Sequence, residues 1–229
     1  MKFFCNSSVI ALTSDARIDF TPANFDAPLT VPQQAYLKQE TGVNIPQVFW
    51  RRQIHEADVI VAQGSSSSCS AYPDADAFVT NQKNLPIAVR TADCVPIFIY
   101  DFNKHIIGLA HAGWKGTQKE IALKTIQTMK DKFNCQCYDL QVAIGPSIRS
   151  CCYQVGPEFK AYFPQDTVER NGGLYVDIVA ANRRQLRQAG VPQTHIIDSG
   201  ICTMCSSDYF SFRTAGAKAG RMISLMELL

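Results

Sequence analysis

The chain has 229 residues, 46% of them hydrophobic and 18% charged, with 22 Lys and Arg against 20 Asp and Glu for a net charge of +2. This composition excludes a wholly disordered or collagen-like chain and allows a full buried core. So small a charge gives no reason to expect nucleic acid or an anionic membrane as the partner.

No apolar run nears the roughly 18–20 residues that span a bilayer, and the opening Met1–Ser8 is too polar for a signal-peptide core. A cytoplasmic setting is therefore expected, with reduced thiols for the nine cysteines. The four histidines, His55, His105, His111 and His195, are too few for the copper array of a laccase-type oxidase, where imidazole is the usual ligand.

In chain order, Ser8–Thr13 and Ala16–Phe20 predict short strands. Pro32–Glu40 predicts a helix, with Pro in its first turn and Gly42 just past its end. Val48–Trp50, Val59–Ala62 and Ala77–Thr80 carry the β-branched and aromatic residues of strands, and the run Ser65–Ser68 predicts a loop. Ile87–Val89 leads to Val95–Tyr100, Asp101–Lys104 has turn chemistry, and His105–Ala110 returns as a strand, which together predict a hairpin. Gly113–Gly116 predicts a loop before an amphipathic helix with Ala122, Ile126, Met129 and Phe133 on one face. Thr117 and Glu120 stand at capping-box spacing, with Thr117 as N-cap.

Leu140–Ile144 predicts a strand, Asp177–Ala189 a helix stopped by Gly190, and His195–Ile197 and Met222–Leu225 closing strands. There is no repeat, charge block or long linker. The expectation is a single domain over residues 1–229, of α/β (α+β) class, with mixed β-sheets flanked by helices.

A turn centred near Asn103 sets Cys94 opposite a position near His111. Thiol and imidazole then converge at one end of the hairpin, within reach of a metal or of each other. Alone, Cys94 reads as a core thiol and His111 as a hydrogen-bonded structural residue; their convergence points to chemistry. One form is a hydrolase dyad, with a Cys94 thiolate as nucleophile and His111 as base. Local spacing ties His55 to neither. Cys202-x-x-Cys205 has the form of a redox pair or half a zinc site. No second pair has matching spacing, because Cys151 and Cys152 are adjacent and Cys135-x-Cys137 is tight.

Five segments occur in the order of a known family: Gln53-Ile54-His55; Thr91-Ala92-Asp93-Cys94-Val95-Pro96; His111-Ala112-Gly113-Trp114-Lys115-Gly116; Gly145-Pro146-Ser147-Ile148 with Cys152-Tyr153-Gln154-Val155-Gly156; and Phe210-Ser211-Phe212-Arg213 with Gly220-Arg221. From about residue 48 onward the chain resembles the YfiH-like family, also labelled polyphenol oxidase or laccase-domain. Glu56, where the family commonly has a small residue, and Cys205 depart from the pattern.

The resemblance implies a zinc-dependent purine nucleoside phosphorylase with adenosine deaminase activity. It also implies one zinc per chain on His55, Cys94 and His111. A Cys/His/His set suits zinc and leaves a fourth position open; copper would ask for a weak axial ligand that the sequence does not identify. Purine nucleosides and phosphate are then the partners, with the chain a monomer or homodimer. Deamination needs a water activated for attack on purine C6 and a proton carrier, for which Asp93 is the first candidate and Glu56 the second; Asp93 also reads as a residue whose backbone hydrogen bonds hold the Cys94 turn. Phosphorolysis needs an anion site, for which Gly113, Lys115 and Arg213 are candidates, with Arg221 behind them. Trp114, Tyr153 and Phe210 read first as core packing and second as candidates to stack on a purine.

Overall fold

The computed structural model describes residues 1–5, 8–22, 27–64 and 71–229. Its centre is the expected hairpin, in which Val95–Asp101 and Ile106–Ala112 pair antiparallel. Both strands are buried along their whole length. Such strands must be apolar on both faces and so lose the polar alternation of a surface strand. A six-stranded mixed sheet grows from the hairpin in the order Ile196–Asp198, Leu140–Ile144, Val95–Asp101, Ile106–Ala112, Ala77–Thr80, Val59–Val61. The two outermost pairs are parallel and the rest antiparallel. A second sheet, all antiparallel, runs Lys2–Cys5, Val9–Thr13, Met222–Leu228, Ile87–Thr91.

The layers follow from which side chains each sheet face presents. On one face of the large sheet, Ile97, Ile99, Ala110 and Val142 pack against Ile121, Ala122, Ile126 and Met129 of the helix Ile121–Phe133 and Leu186 of the helix Ile178–Gln188. On the other face, Phe78, Phe98, Ile107 and Leu109 meet Val9, Ala11, Val89 and Met226 of the second sheet. The far side of that sheet, with Ile10, Leu12 and Leu225, is covered by Tyr36 and Leu37 of the helix Val31–Thr41. The order is helices, sheet, sheet, helix, a mixed α/β fold as expected. A small sheet of Gln154–Val155, Thr167–Arg170 and Gly173–Val176 stands to one side; the sequence reading did not foresee it. Among the described residues no helix is long and apolar enough to cross a membrane.

Several expectations need correction. Ala16–Phe20 is a turn and not a strand. Its backbone N–H groups go to loops, Ala16 to the Asp208 carbonyl and Phe20 to the Arg221 carbonyl, which leaves no ladder to form. Val48–Trp50 reduces to an isolated bridge between Phe49 and Ile87. Ser65–Ser68 lies outside the described residues.

Gly113–Gly116 is not a loop, for Gly113 is the N-cap of a short helix, Trp114–Gln118. Thr117 sits buried inside that helix and caps nothing. Its hydroxyl accepts from the Asn182 side-chain amide at 2.9 Å and its carbonyl from that of Gln185 at 2.6 Å. The chain then breaks at Glu120, whose φ of 64° starts the long helix anew. The hairpin register is also offset by two residues. Pro96 pairs with His111 and Val95 with Ala112, so Cys94 falls across from Gly113. An offset of two preserves the face on which each side chain lies, and the convergence survives.

Phe98 is fully buried between the two sheets, with its ring centroid 4.8 Å from that of Phe3. Phe98→Ala is expected to cost about 3–5 kcal/mol of unfolding free energy, read as a lower urea midpoint at unchanged slope.

Candidate metal centre

Three side chains far apart in sequence meet where the hairpin ends. Cys94 precedes the first strand, His111 is next to last in the second, and His55 lies in the loop before Val59–Val61. One donor atom from each lies within 4.8 Å of the others. Cys94 Sγ is 4.0 Å from His55 Nε2, and the two imidazoles meet edge to face with centroids 4.9 Å apart. In a tetrahedral zinc site a sulfur and a nitrogen ligand stand about 3.6 Å apart, from bond lengths of about 2.3 and 2.05 Å. A few tenths of an ångström of inward movement therefore gives coordination.

The positions of the donors have local causes. His55 adopts a left-handed φ of 57°, held by the carboxylate of Asp76, which accepts from the backbone N–H groups of Ile54, His55 and Glu56 at 3.1, 3.1 and 2.9 Å. The same carboxylate lies 2.7 Å from Nδ1 of His111. That fixes the ring and leaves Nε2 for a metal, the carboxylate–histidine arrangement that orients zinc ligands. Asp76 has no exposed surface. Burial raises its pKa, but His111 and the backbone donors outweigh this and hold it below the usual carboxylate range. Gly113 leaves room for the cluster: a Cβ there would stand 3.0 Å from His55 Cδ2 and 3.2 Å from Cys94 Sγ.

Asp93 is placed differently from what a proton carrier needs. Its φ is 89°, a conformation that costs about 1–3 kcal/mol for a non-glycine residue. Its carboxylate offsets this by accepting from Thr203 Oγ1 at 2.6 Å, Ser211 Oγ at 3.1 Å and the Arg213 backbone N–H at 2.6 Å. Glu56 is turned away, paired with Lys119.

The donors open onto a cleft of about 690 Å³, within the range of small-molecule sites. Arg90, Arg213 and Arg221 line it, as do Trp114, Tyr153 and Phe212. Gln53 braces the wall, exchanging two 2.8 Å hydrogen bonds with the Arg90 backbone. Lys115 is exposed and lies outside the cleft, its Nζ 5.5 Å from the Trp114 ring centroid. Phe210 packs beneath Gly220, and the aromatic that reaches the cleft from that segment is Phe212, 51% exposed. Asp76 carries no motif signal in the sequence, and Phe212 stands there only as part of the Phe210–Arg213 motif.

Burial opposes ionisation of Cys94, yet the two histidines draw its pKa down to about 6. Burial likewise disfavours a charged His111, and Cys94 and Asp76 push its pKa up to about 9. The metal-free pair is then thiolate and imidazolium between those values. A metal ion must displace the His111 proton in that window and the Cys94 proton as well below it. Zinc affinity is expected to fall as pH drops from about 9, and more steeply below about 6, in competition titrations against a chelator; a flat profile contradicts the ligand set. Asp76→Asn is expected to weaken zinc binding by about 10–100-fold in the same titration.

A family model described as multi-copper polyphenol oxidoreductase laccase matches residues 16–229, starting well before the first motif at Gln53. A purine nucleoside phosphorylase of Aquifex aeolicus is 38% identical over 155 residues, covering 68% of this chain and 72% of the relative. Adenosine deaminase RL5, from an unknown prokaryotic organism, is 35% identical over 212 residues, covering 86% and 80%. Among solved structures, the hypothetical protein YfiH of Bacillus licheniformis superposes with a TM-score of 0.84 at 25% identity, over 96% of this chain and 93% of that one. YlmD of Geobacillus stearothermophilus gives 0.82 at 27% identity, over 96% and 92%. The chain belongs to the YfiH-like family, which carries the polyphenol oxidoreductase laccase description.

Proposed function

We propose that the chain is a zinc-dependent, cytoplasmic purine nucleoside phosphorylase with a lesser adenosine deaminase activity. The observation that carries this is the cleft itself: the donor atoms of His55, Cys94 and His111 converge beside three arginines and an aromatic wall. The names of the relatives from Aquifex aeolicus and of RL5 support the substrate class. The donor set fits zinc, with one thiolate, two imidazoles and a vertex left for a ligand. Four histidines in the chain do not make a multi-copper array. When bound there, zinc supplies a Lewis acid at the inner end of the cleft.

Arg90, Arg213 and Arg221 form the anion site in this proposal. Guanidinium groups suit phosphate because they give paired, charge-assisted hydrogen bonds. Two are held ready: an Arg213 guanidinium nitrogen donates to the Gln154 carbonyl at 2.7 Å, and Arg221 donates to the carbonyls of Ala219 and Gly220. Gly113 contributes close approach, whereas Lys115 stays at the periphery. Phe212, Tyr153 and Trp114 offer faces on which a purine can stack. Phosphate then attacks C1′ as the C1′–N bond breaks. The bonding electrons leave with the base, which takes a proton, and ribose-1-phosphate forms.

Deamination asks for a carboxylate free to carry protons. Asp93 is the only carboxylate lining the cleft among the described residues, and its oxygens already hold Thr203, Ser211 and Arg213. In this proposal Asp93 is a positioning residue, and phosphorolysis outruns deamination.

The thiolate–imidazolium pair of Cys94 and His111 also suits a cysteine hydrolase. A hydrolase dyad does not need His55. Incubation with adenosine, with and without phosphate, separates the two when products are identified by mass. Phosphate-dependent adenine and ribose-1-phosphate, abolished by chelator and by His55→Ala, are expected. No conversion of any purine nucleoside contradicts the proposal, and a hydrolytic activity untouched by chelator favours the dyad. Arg213→Ala keeps the backbone N–H that holds Asp93. It is expected to raise the phosphate KM by about 10–100-fold, the loss of one charged hydrogen bond.

A further inference from the structure

Four more cysteines meet on the other side of the Asp93 turn. Cys151, Cys152, Cys202 and Cys205 have all four sulfurs within 4.8 Å of one another. The sequence spacing argued against this because two of them are adjacent. The fold supplies what spacing could not. Leu140–Ile144 and Ile196–Asp198 run parallel, and their continuations pair again, shifted by one residue, through a bridge from Ser147 to Cys202. The Ser147 N–H donates to the Ile201 carbonyl and the Thr203 N–H to the Ser147 carbonyl, at 3.3 and 3.1 Å. One loop then turns back as the N–H groups of Cys152 and Tyr153 both donate to the Arg149 carbonyl at 2.9 Å. The other turns as those of Cys205 and Ser206 donate to the Cys202 carbonyl at 3.2 and 3.1 Å. The two turns aim four thiols at one point.

We propose that Cys151, Cys152, Cys202 and Cys205 bind a second metal ion of the zinc type in a closed four-thiolate site that clasps the two loops together. Four sulfurs at about 2.3 Å from a tetrahedral ion stand about 3.8 Å apart. The sulfur of Cys205 lies 3.7 Å from that of Cys151 and 3.2 Å from that of Cys152. A disulfide, with its bond of about 2.05 Å, joins only two of the four and leaves two thiols beside it. Four thiolates on a divalent ion carry a net charge of about −2, and Arg170 is at hand to balance it, donating to the Ser150 and Cys151 carbonyls at 3.1 and 2.8 Å. With all four vertices filled by protein the ion is structural and not catalytic.

Its reach to the cleft is short. Thr203, inside the Cys202–Cys205 turn, donates to Asp93, and Tyr153, next to Cys152, lines the cleft. The clasp thus braces both residues from behind.

Metal analysis by mass spectrometry of protein purified in reducing, chelator-free buffer tests this. Two zinc ions per chain are expected, falling to one in Cys152→Ser/Cys205→Ser and to one in His55→Ala. A chain with one ion that survives in His55→Ala and vanishes in the cysteine variant upholds this site while sinking the one in the cleft. Zinc content unchanged in the cysteine variant overturns the proposal, as does a purified chain two hydrogens lighter whose peptides link Cys152 to Cys205. Should that variant fail to fold, alkylation of the unaltered chain decides. Cys151 and Cys205, both exposed, are expected to resist iodoacetamide until chelator is added. Immediate labelling of both overturns the proposal.

Discussion

The site depends on one buried carboxylate. Asp76 stands just ahead of the strand Ala77–Thr80 and makes four contacts at once, to the ring of His111 and to three successive N–H groups of the loop bearing His55. A carboxylate with no exposed surface is costly unless fully paired. The loop and the imidazole therefore settle together or not at all. This is how residues 21 and 35 positions away come to share one geometry. His55 can stay in a left-handed conformation because three hydrogen bonds around it outweigh the strain.

Asp93 performs the matching task at the other wall. Its carboxylate gathers Thr203, Ser211 and Arg213, which come from two segments more than a hundred residues later in the chain. Its carbonyl accepts from the Ile148 N–H at 2.9 Å. The turn that presents Cys94 is thus tied to the segment that brings Arg213 and Phe212 to the cleft. Between the two carboxylates, Gly113 leaves the space in which thiol and imidazole approach each other. Behind them lie two sheets packed face to face, rigid enough to hold side chains at a fixed separation.

The sequence made the local parts legible. The hairpin, the amphipathic helix from Ile121 and the helix capped by Asp177, whose side chain accepts from the Ala180 N–H, all announce themselves through periodicity and end signals. Long-range choices were hidden. Thr117 has the spacing of a cap, yet Asn182 and Gln185, over sixty residues on, claim it for the interior. The hairpin turn keeps the expected length but lies one residue later, over Phe102–His105 and not Asp101–Lys104, hence the shift of two in register. The link between His55 and its partners runs through Asp76, an unremarkable residue in a loop. Cys151 and Cys152 met Cys202 and Cys205 only because two parallel strands placed their ends side by side. The hairpin turn already set Cys94 near His111, and family resemblance added His55; the physical reason that His55 joins them, Asp76, became visible only in three dimensions.

The central claim is that one ion sits on His55, Cys94 and His111, oriented by Asp76. Anomalous diffraction at the zinc edge, from crystals of protein grown without added metal, tests it most directly. A peak is expected about 2.0 Å from Nε2 of each histidine and about 2.3 Å from the Cys94 sulfur, with Asp76 still on Nδ1 of His111. Density that shows Nε2 of His111 bonded to protein, or no anomalous signal among the three donors, contradicts it.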